Sequence, residues 1–307
     1  MNVKTSSVTP SPASGKLLVS NTDVSLTPIF EPPSHLIPSV PENYPFDTLS
    51  DEQTALVHDL QAQLDGIVAS LTGDALPGEK EYCDDVRMIK FLKSTNWKIE
   101  ESATRLKETL QWRREYKPNE LILGLEGVCA HSICYLSGFD KSCRPIMTMP
   151  TRNGVHIKDH DLATRLTFYT MEQAQKLMKK GVTNLCIIVD FRDSPMNATP
   201  VSHSIKFLNV LSKHYPETLG RFVVVNPTWY MWVLYKMVSP FVDNNTKSKV
   251  FFVTSDPASS QGKPDKDTGG FVTLELAIDL DQVSTDLGGT REYTFNHLAY
   301  WKLFSAL

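Results

Sequence analysis

The chain has 307 residues, of which 41% are apolar, and carries a net charge of −4. This length and composition allow one large hydrophobic core or two smaller ones, and the slightly acidic charge argues against nucleic acid as a partner. No apolar run reaches the roughly 18 residues of a membrane span, no secretory signal pattern is present, and five scattered cysteines without a CxxC pair indicate a reducing cytoplasmic environment without a structural metal site.

The N-terminal residues 1–46 are rich in Ser, Thr and Pro and hold eight of the 19 prolines. They show neither helical nor strand periodicity, so we predict a disordered tail. Ordered structure is predicted to begin at residue 47, where Ser50 and Gln53 have the spacing of a capping box. Residues 47–118 are then predicted to form a small helical N-lobe, because apolar residues recur at helical spacing until Pro118 ends the last helix.

Residues 119–290 are predicted to form an α/β lobe. Three apolar runs, at 185–191, 222–225 and 250–253, are continuous rather than alternating, which is typical of strands buried on both faces. Helical segments alternate with these strands, and one of them is expected to start at Thr199-Pro200 and to end near His214. Because the connections are short, right-handed crossovers predict a mostly parallel sheet. Residues 291–307 are expected to form a polar and aromatic C-terminal tail.

The connection from Thr228 to Val242 is unusually apolar and contains one charged residue, Lys236. A helix on the surface of a soluble sheet normally has a polar outer face. Two interpretations remain open from the residues alone. The helix is buried on every side, with the C-terminal tail covering it, or it is a lid over a hydrophobic pocket that also contacts a membrane, where Trp and Tyr are favoured.

Several segments of the chain resemble the CRAL-TRIO lipid-binding family. They are "DDVRMIKFLKSTNWKIEESATRLKETLQWRREY", "GFDKSCRPI", "HYPETLGRFVVVNPTWYMW" and "SPFVDNNTKSKVFF", and "LGGTREYTFNHLAYWKLF" is similar to the ends of fungal phosphatidylinositol transfer proteins of the type associated with azole resistance. The resemblance implies a CRAL-TRIO lobe with a gate helix, preceded by the helical N-lobe. It also implies that the apolar connection is this gate, with Trp229, Tyr230, Met231 and Trp232 contacting the bilayer.

The resemblance implies a headgroup site for phosphatidylinositol at Glu217, Thr246 and Lys249. Glu217 precedes one predicted strand and Lys249 begins another, so parallel strands would place both side chains near the same edge of the sheet. A Lys and a Thr hydroxyl can hold a phosphodiester, and a carboxylate can accept hydrogen bonds from inositol hydroxyls. The alternative is a surface ion pair of little energetic value.

The sequence departs from the family pattern in two places. Thr95 and Asn96 occupy the positions of an Arg-Lys pair in relatives, so Lys93 or Lys98 would have to supply that charge. Where members that bind phosphatidylcholine have two Tyr, a Ser and a Thr, the pocket lining is predicted to be apolar, and sterol or another neutral lipid is then a better second ligand than phosphatidylcholine. These lining residues are Leu136, Met147, Leu185 and Ile187.

Other functions find less support in the sequence. Cys186 and Arg192 have the spacing of a cysteine phosphatase loop, but the segment between them is strand-like and lacks glycine. Val189 and Phe191 stand where some fungal relatives have haem ligands, and neither side chain can bind iron. The histidines show no metal-ligand spacing, and His203 and His214 are expected at the surface.

We therefore expect a phosphatidylinositol-binding transfer protein that exchanges lipids between membranes through a gated hydrophobic pocket, and not an enzyme. The alternative is a lipid sensor or regulator that binds sterol or another neutral lipid without exchanging it. The expected ligand is phosphatidylinositol or sterol, with no cofactor. The expected partners are membrane lipids and, through lipid presentation, a phosphoinositide kinase. The expected location is cytoplasmic and peripheral to intracellular membranes.

Overall fold

The computed structural model describes residues 26–195, 201–254 and 267–307, without the side chains of Val201 and His203. The helices are α1 (Asp51–Ala62), α2 (Leu64–Ala69), α3 (Asp85–Ser94), α4 (Ile99–Tyr116), α5 (Leu125–Cys129), α6 (His160–Leu177), α7 (Val201–His214), α8 (Trp229–Val238), α9 (Asn244–Ser248), α10 (Leu274–Ala277) and α11 (His297–Phe304). The strands are β1 (Tyr135–Phe139), β2 (Pro145–Pro150), β3 (Leu185–Asp190), β4 (Leu219–Val225), β5 (Val250–Val253) and β6 (Gly270–Val272).

Within the described residues the strands form one sheet in the order β1-β2-β3-β4-β5-β6. Strand β1 is antiparallel to β2, and every later pair is parallel. Because sheet order follows chain order, right-handed crossovers place α6, α7 and α8 on the same face. The predicted α/β fold with a mostly parallel sheet is confirmed.

The strand β3 is buried on both faces, as its continuous apolar run predicts. On the helix face, Leu185 and Ile187 belong to a core cluster that also includes residues of α6. On the opposite face, Cys186 and Ile188 pack in a second cluster with residues of the segment from Leu274 to Leu287. This C-terminal segment therefore takes the place that a second layer of helices fills in doubly wound folds.

The helical N-lobe has its own core between α1, α3 and α4, which includes Leu60, Phe91 and Leu106. Its first helix begins as predicted, since Ser50 and Gln53 form both hydrogen bonds of a capping box. The N-lobe is joined to the α/β lobe by a buried ion pair in which the Arg113 guanidinium donates two hydrogen bonds to the Glu172 carboxylate, at 2.8 and 3.0 Å.

The end of α7 corrects one prediction. His214 is buried rather than exposed, because its ring stacks on Trp112 at 4.6 Å and hydrogen-bonds with Thr109 at 3.0 Å. Helix α7 is described from Val201 to His214, so the predicted start at Thr199-Pro200 and the side chain of His203 lie outside the described residues.

The prediction of a disordered tail over residues 1–46 is wrong for residues 26–46. Ile29 hydrogen-bonds to β1 through the Ser137 side chain and the Gly138 amide. Phe30 packs edge-to-face on Tyr300 of α11, and the Glu31 carboxylate pairs with Lys179 at 2.5 Å. This segment covers the edge strand β1, which the proline content of the sequence does not reveal. Residues 1–25 lie outside the described residues.

Candidate functional site

Glu217 and Lys249 come together at the amino ends of β4 and β5. Phe222 pairs with Val250 in the parallel ladder, and the Phe222 amide donates to the Lys249 carbonyl at 2.8 Å. The Lys249 ammonium lies 3.2 Å from Glu217 Oε2, with the two side chains 20% and 33% exposed. Asn245 Nδ2 donates to Glu217 Oε1 at 3.1 Å. The result is a partly open cluster with a cation, a carboxylate and an amide.

Thr246 lies on α9, three residues before Lys249. It is held by Asp243, the N-cap residue of that helix. The Asp243 carboxylate accepts hydrogen bonds from the Thr246 amide at 2.8 Å and from its hydroxyl at 2.7 Å. Burial of Asp243 opposes its ionisation, but these hydrogen bonds and the charge of Lys249 outweigh burial and lower its pKa. The hydroxyl of Thr246 can donate to a ligand only after it turns away from Asp243.

The backbone at Glu217 adopts a strained, left-handed conformation. Its φ is +50°, which is uncommon for a residue other than Gly, Asn or Asp. Two residues earlier, Tyr215 is buried, and its hydroxyl donates to Glu172 Oε1 at 2.8 Å. The motif Tyr215-Pro216-Glu217 therefore anchors the fold with its first residue and presents a carboxylate with its last.

The N-lobe approaches this cluster with a different residue from those considered in the sequence. Thr95 is buried against Ser102 at 2.5 Å, Lys93 is exposed, and Lys98 pairs with Glu101 at 2.8 Å. Asn96 is exposed in a left-handed turn, with a φ of +52°. None of these residues supplies a buried charge near Glu217.

Lys90 does supply such a charge. It is 6% exposed, and its ammonium donates a hydrogen bond to the Thr183 carbonyl. Burial and the positive charge of the neighbouring Arg87 lower the pKa of Lys90 to about 7. The charge of Glu217 raises this pKa, and the charge of Lys249 lowers it. The available signal in the sequence was a single lysine between Ile89 and Phe91 inside an apolar run, and burial of that lysine depends on the lobe packed against it.

Helix α8 has an uncovered apolar row at a spacing of four residues. Trp229 is 66% exposed, Val233 and Met237 are also exposed, and Phe241 lies just beyond the helix in the same condition. The interpretation that the C-terminal tail covers this helix is wrong, because α11 packs instead next to β1, where the Tyr300 hydroxyl accepts a hydrogen bond from the Leu136 amide at 2.8 Å.

The other aromatic residues of α8 face the protein. Tyr230 and Met231 are buried, and Trp232 packs on Phe252 of β5 with ring centroids 4.7 Å apart. In this arrangement Trp229 is therefore the exposed member of the predicted membrane-contact set. The helix starts after Asn226, whose side-chain amide donates to Asp190 at 2.8 Å.

The predicted pocket residues share the sheet face that carries the helices. Leu136 is opposite Met147 and Met147 is opposite Ile187, so three strands contribute one row, with Leu185 two positions earlier on β3. All four side chains are buried in the core cluster that includes Leu166 of α6. They can line a lipid cavity only after helices on this face move away from the sheet.

A groove of about 310 Å³ opens beside the same core, between α4, α6 and α7. Phe168 and Phe207 form part of its wall and also pack with the core cluster. Sites for drug-sized ligands occupy about 300–1,000 Å³, and a phospholipid with two acyl chains is larger than most such ligands. A phospholipid would therefore have to enlarge this arrangement on entry.

The rival chemistries receive no geometric support from the described residues. Cys186 is fully buried in the middle of the sheet, and burial raises the pKa of its thiol, which disfavours the thiolate. Within residues 26–195, 201–254 and 267–307, no group of three potential His, Cys, Asp or Glu metal ligands is found. In the same ranges no helix is long and apolar enough to cross a membrane.

A sequence profile of the CRAL/TRIO domain matches residues 130–289, more than half of the chain, and the chain belongs to this family. The crystal structure of Sfh5 superposes with a TM-score of 0.55 at 17% identity, covering 84% of this chain and 98% of that one, which supports the fold.

Curated relatives extend the similarity to the sequence level. The phosphatidylinositol transfer protein PDR17 of Saccharomyces cerevisiae is 26% identical over 73% of this chain and 62% of its own length. Patellin-4 of Arabidopsis thaliana is 30% identical over 70% of this chain and 39% of its own length. The CRAL-TRIO domain-containing protein C23B6.04c of Schizosaccharomyces pombe is 29% identical over 70% of this chain and 20% of its own length. The chain thus spans less than two thirds of each.

Proposed function

We propose that this chain binds phosphatidylinositol and exchanges lipids between membranes through a gated hydrophobic pocket. The observation that carries the proposal is the half-open pair of Glu217 and Lys249, with Asn245 beside it, in a chain whose helix α8 leaves an apolar row uncovered. The similarity to PDR17, which is described as a phosphatidylinositol transfer protein, supports the choice of headgroup.

The headgroup would be held by exchange of partners at the sheet edge. Lys249 gives up part of its contact with Glu217 and binds the phosphodiester, while Glu217 and Asn245 offer acceptors and donors to inositol hydroxyls. Thr246 adds a hydroxyl when it turns from Asp243. No covalent chemistry is needed, because the side chains position a headgroup and release it.

Membrane contact would be made by the exposed row of α8. Trp229, Val233 and Met237 enter the interfacial region of a bilayer, where aromatic and aliphatic side chains are stabilised without a spanning helix. Movement of α8 would uncover Tyr230, Met231 and the side chains of Val224 and Phe252 beneath the helix, which opens this part of the sheet face to lipid. Such a protein would associate peripherally with intracellular membranes and could present its lipid to a phosphoinositide kinase.

Phosphatidylcholine is disfavoured as the second ligand. Its phosphate would lie against Leu136, Met147, Leu185 and Ile187, which offer no hydrogen bonds, and each unsatisfied buried polar group costs about 1–3 kcal/mol. The same apolar row favours sterol or another neutral lipid. A protein that holds such a lipid without exchanging it is the second candidate function, and an exchange assay separates the two.

The test is transfer of fluorescent phosphatidylinositol between vesicles by the Lys249→Ala variant. Loss of a charge-assisted hydrogen bond is expected to reduce transfer by about tenfold or more. Lys213→Ala is the matched control, because it breaks a surface ion pair with Glu108 at 3.0 Å outside the site. Undiminished transfer by Lys249→Ala, with the fold intact, would contradict the headgroup assignment.

A further inference from the structure

Lys90 is placed by the fold beside the headgroup cluster, although it belongs to the N-lobe. Its ammonium donates to the Thr183 carbonyl. Leu185 pairs with Leu219 in the parallel ladder, and the Leu185 amide donates to the Thr218 carbonyl at 2.9 Å. Thr183 and Glu217 each lie two residues before these paired positions, so both precede the amino ends of adjacent strands. The Lys90 ammonium therefore contacts the backbone at the same end of the sheet as Glu217 and Lys249, whose charges act on its pKa.

The bonding of Lys90 is incomplete for a buried cation. An ammonium has three N–H groups, and the part of the chain that the structure describes supplies one hydrogen-bond acceptor to it, the Thr183 carbonyl. A buried cation without a close anionic partner is costly. A bound phosphate oxygen would satisfy a second N–H and supply the missing negative charge.

We propose that Lys90 is a second cation of the headgroup site, which binds the phosphodiester of phosphatidylinositol together with Lys249. This inference rests on the proposed function and extends it across the boundary between the two lobes. It also explains how a chain with Thr95 and Asn96 in place of a cationic pair can still contribute a positive charge from the N-lobe.

The charges around Lys90 make this contact dependent on pH. Burial and Arg87 favour the neutral amine, Asp84 and Glu217 favour the ammonium, and Lys249 opposes it, with a resulting pKa of about 7. The phosphodiester keeps its single negative charge across the neutral range. A bound phosphodiester raises the pKa of Lys90, so binding is strongest below pH 7 and weakens as the pH rises above it.

The experiment measures equilibrium uptake of fluorescent phosphatidylinositol from neutral-lipid vesicles at about pH 6 and at about pH 8. Between these two values, a group with a pKa of about 7 changes from mainly charged to about one tenth charged. The wild-type chain is expected to lose affinity by roughly tenfold over this interval. Lys90→Met, which keeps the aliphatic stem, is expected to bind weakly at both values and to show no such dependence. The exposed Lys93→Met on the same helix is the matched control.

The outcomes separate this inference from the proposed function. If the wild-type chain and Lys90→Met show the same affinity and the same pH profile while Lys249→Ala loses binding, Lys90 has no role and the proposed function stands. If the wild-type chain takes up no phosphatidylinositol, both fail. Displacement of the lipid by excess inorganic phosphate with the same pH profile would show a site for free phosphate and overturn the lipid assignment. An unchanged urea midpoint for Lys90→Met shows that weaker binding is not a loss of fold.

Discussion

Two glutamate–cation pairs are connected by the Tyr215-Pro216-Glu217 motif and differ in burial and in hydrogen bonding. Glu172 and Arg113 are 9% and 7% exposed and form two hydrogen bonds, with the Tyr215 hydroxyl adding a third to the same carboxylate. Glu217 and Lys249 are 33% and 20% exposed and share one hydrogen bond, from the Lys249 ammonium to Glu217 Oε2 at 3.2 Å. Because the Glu172 carboxylate accepts three hydrogen bonds from within the protein, the first pair is suited to holding the lobes together. The second can exchange its partner for a ligand.

The largest expected effect on stability comes from removing one charge of the buried pair. Glu172→Ala leaves the Arg113 guanidinium buried without its anion, and the free energy of unfolding is expected to fall by about 3–5 kcal/mol. Urea unfolding at neutral pH measures the change. Lys249→Ala, at the partly exposed pair, is expected to cost less than about 1 kcal/mol in the same assay. Equal losses in both variants would show that burial does not distinguish the pairs.

The dependence of stability on pH provides a second test of the buried pair of Glu172 and Arg113. Burial of Glu172 opposes ionisation, but Arg113 and the hydrogen bonds outweigh it and lower the pKa of the carboxyl below its ordinary value. The stabilisation is therefore complete above the unfolded-state pKa and is lost as the pH falls through the lower folded-state pKa. The difference in unfolding free energy between the wild-type chain and Glu172→Ala should shrink over that range.

Helix α8 tests whether the contrast extends from ion pairs to apolar side chains. Met231→Ala removes a buried side chain from the cluster with Val224 and Phe252 and is expected to cost about 2–5 kcal/mol of unfolding free energy. Trp229→Ala should leave the free energy of unfolding nearly unchanged but reduce the fraction of protein that sediments with vesicles. If Trp229→Ala destabilises the fold as much as Met231→Ala, the exposed row is not available for membrane contact.

Two substitutions within the Tyr-Pro-Glu motif repeat the comparison on neighbouring residues, and the smaller effect is expected at Glu217. Tyr215→Phe removes a hydrogen bond to a charged carboxylate and is expected to cost about 1.5–3 kcal/mol. Glu217→Gln, two residues later, weakens a partly exposed ion pair and should cost less than about 1 kcal/mol, with the difference reduced by added salt. Thermal unfolding at low and high salt checks both; the reverse order of effects would contradict the roles given to the two residues.

The sequence predicted the parallel sheet and the N-lobe because those features depend on local periodicity and on continuous apolar runs such as 185–191. It could not predict which side of α8 is exposed, since a helix that is apolar nearly all round has no polar face to orient it. It also missed the docking of residues 26–46, because contacts such as Phe30 with Tyr300 join residues far apart in the chain.

The candidate site shows the same division. Glu217 and Lys249 were identified through the resemblance to the CRAL-TRIO family, and the parallel pairing of β4 with β5 brings them together. Lys90 was missed because a lysine in an amphipathic helix is ordinarily at the surface. Its burial results from packing against the backbone at Thr183, which lies in the other lobe.

The central claim, that the sheet edge binds an inositol phospholipid over an apolar pocket, is tested most directly by mass spectrometry of the lipids that co-purify with the protein. The source should be cells that make both phosphatidylinositol and sterol. We expect phosphatidylinositol, with or without sterol, in the wild-type protein and its loss in Lys249→Ala. Phosphatidylcholine, or sterol alone, in the wild-type protein would contradict the headgroup assignment.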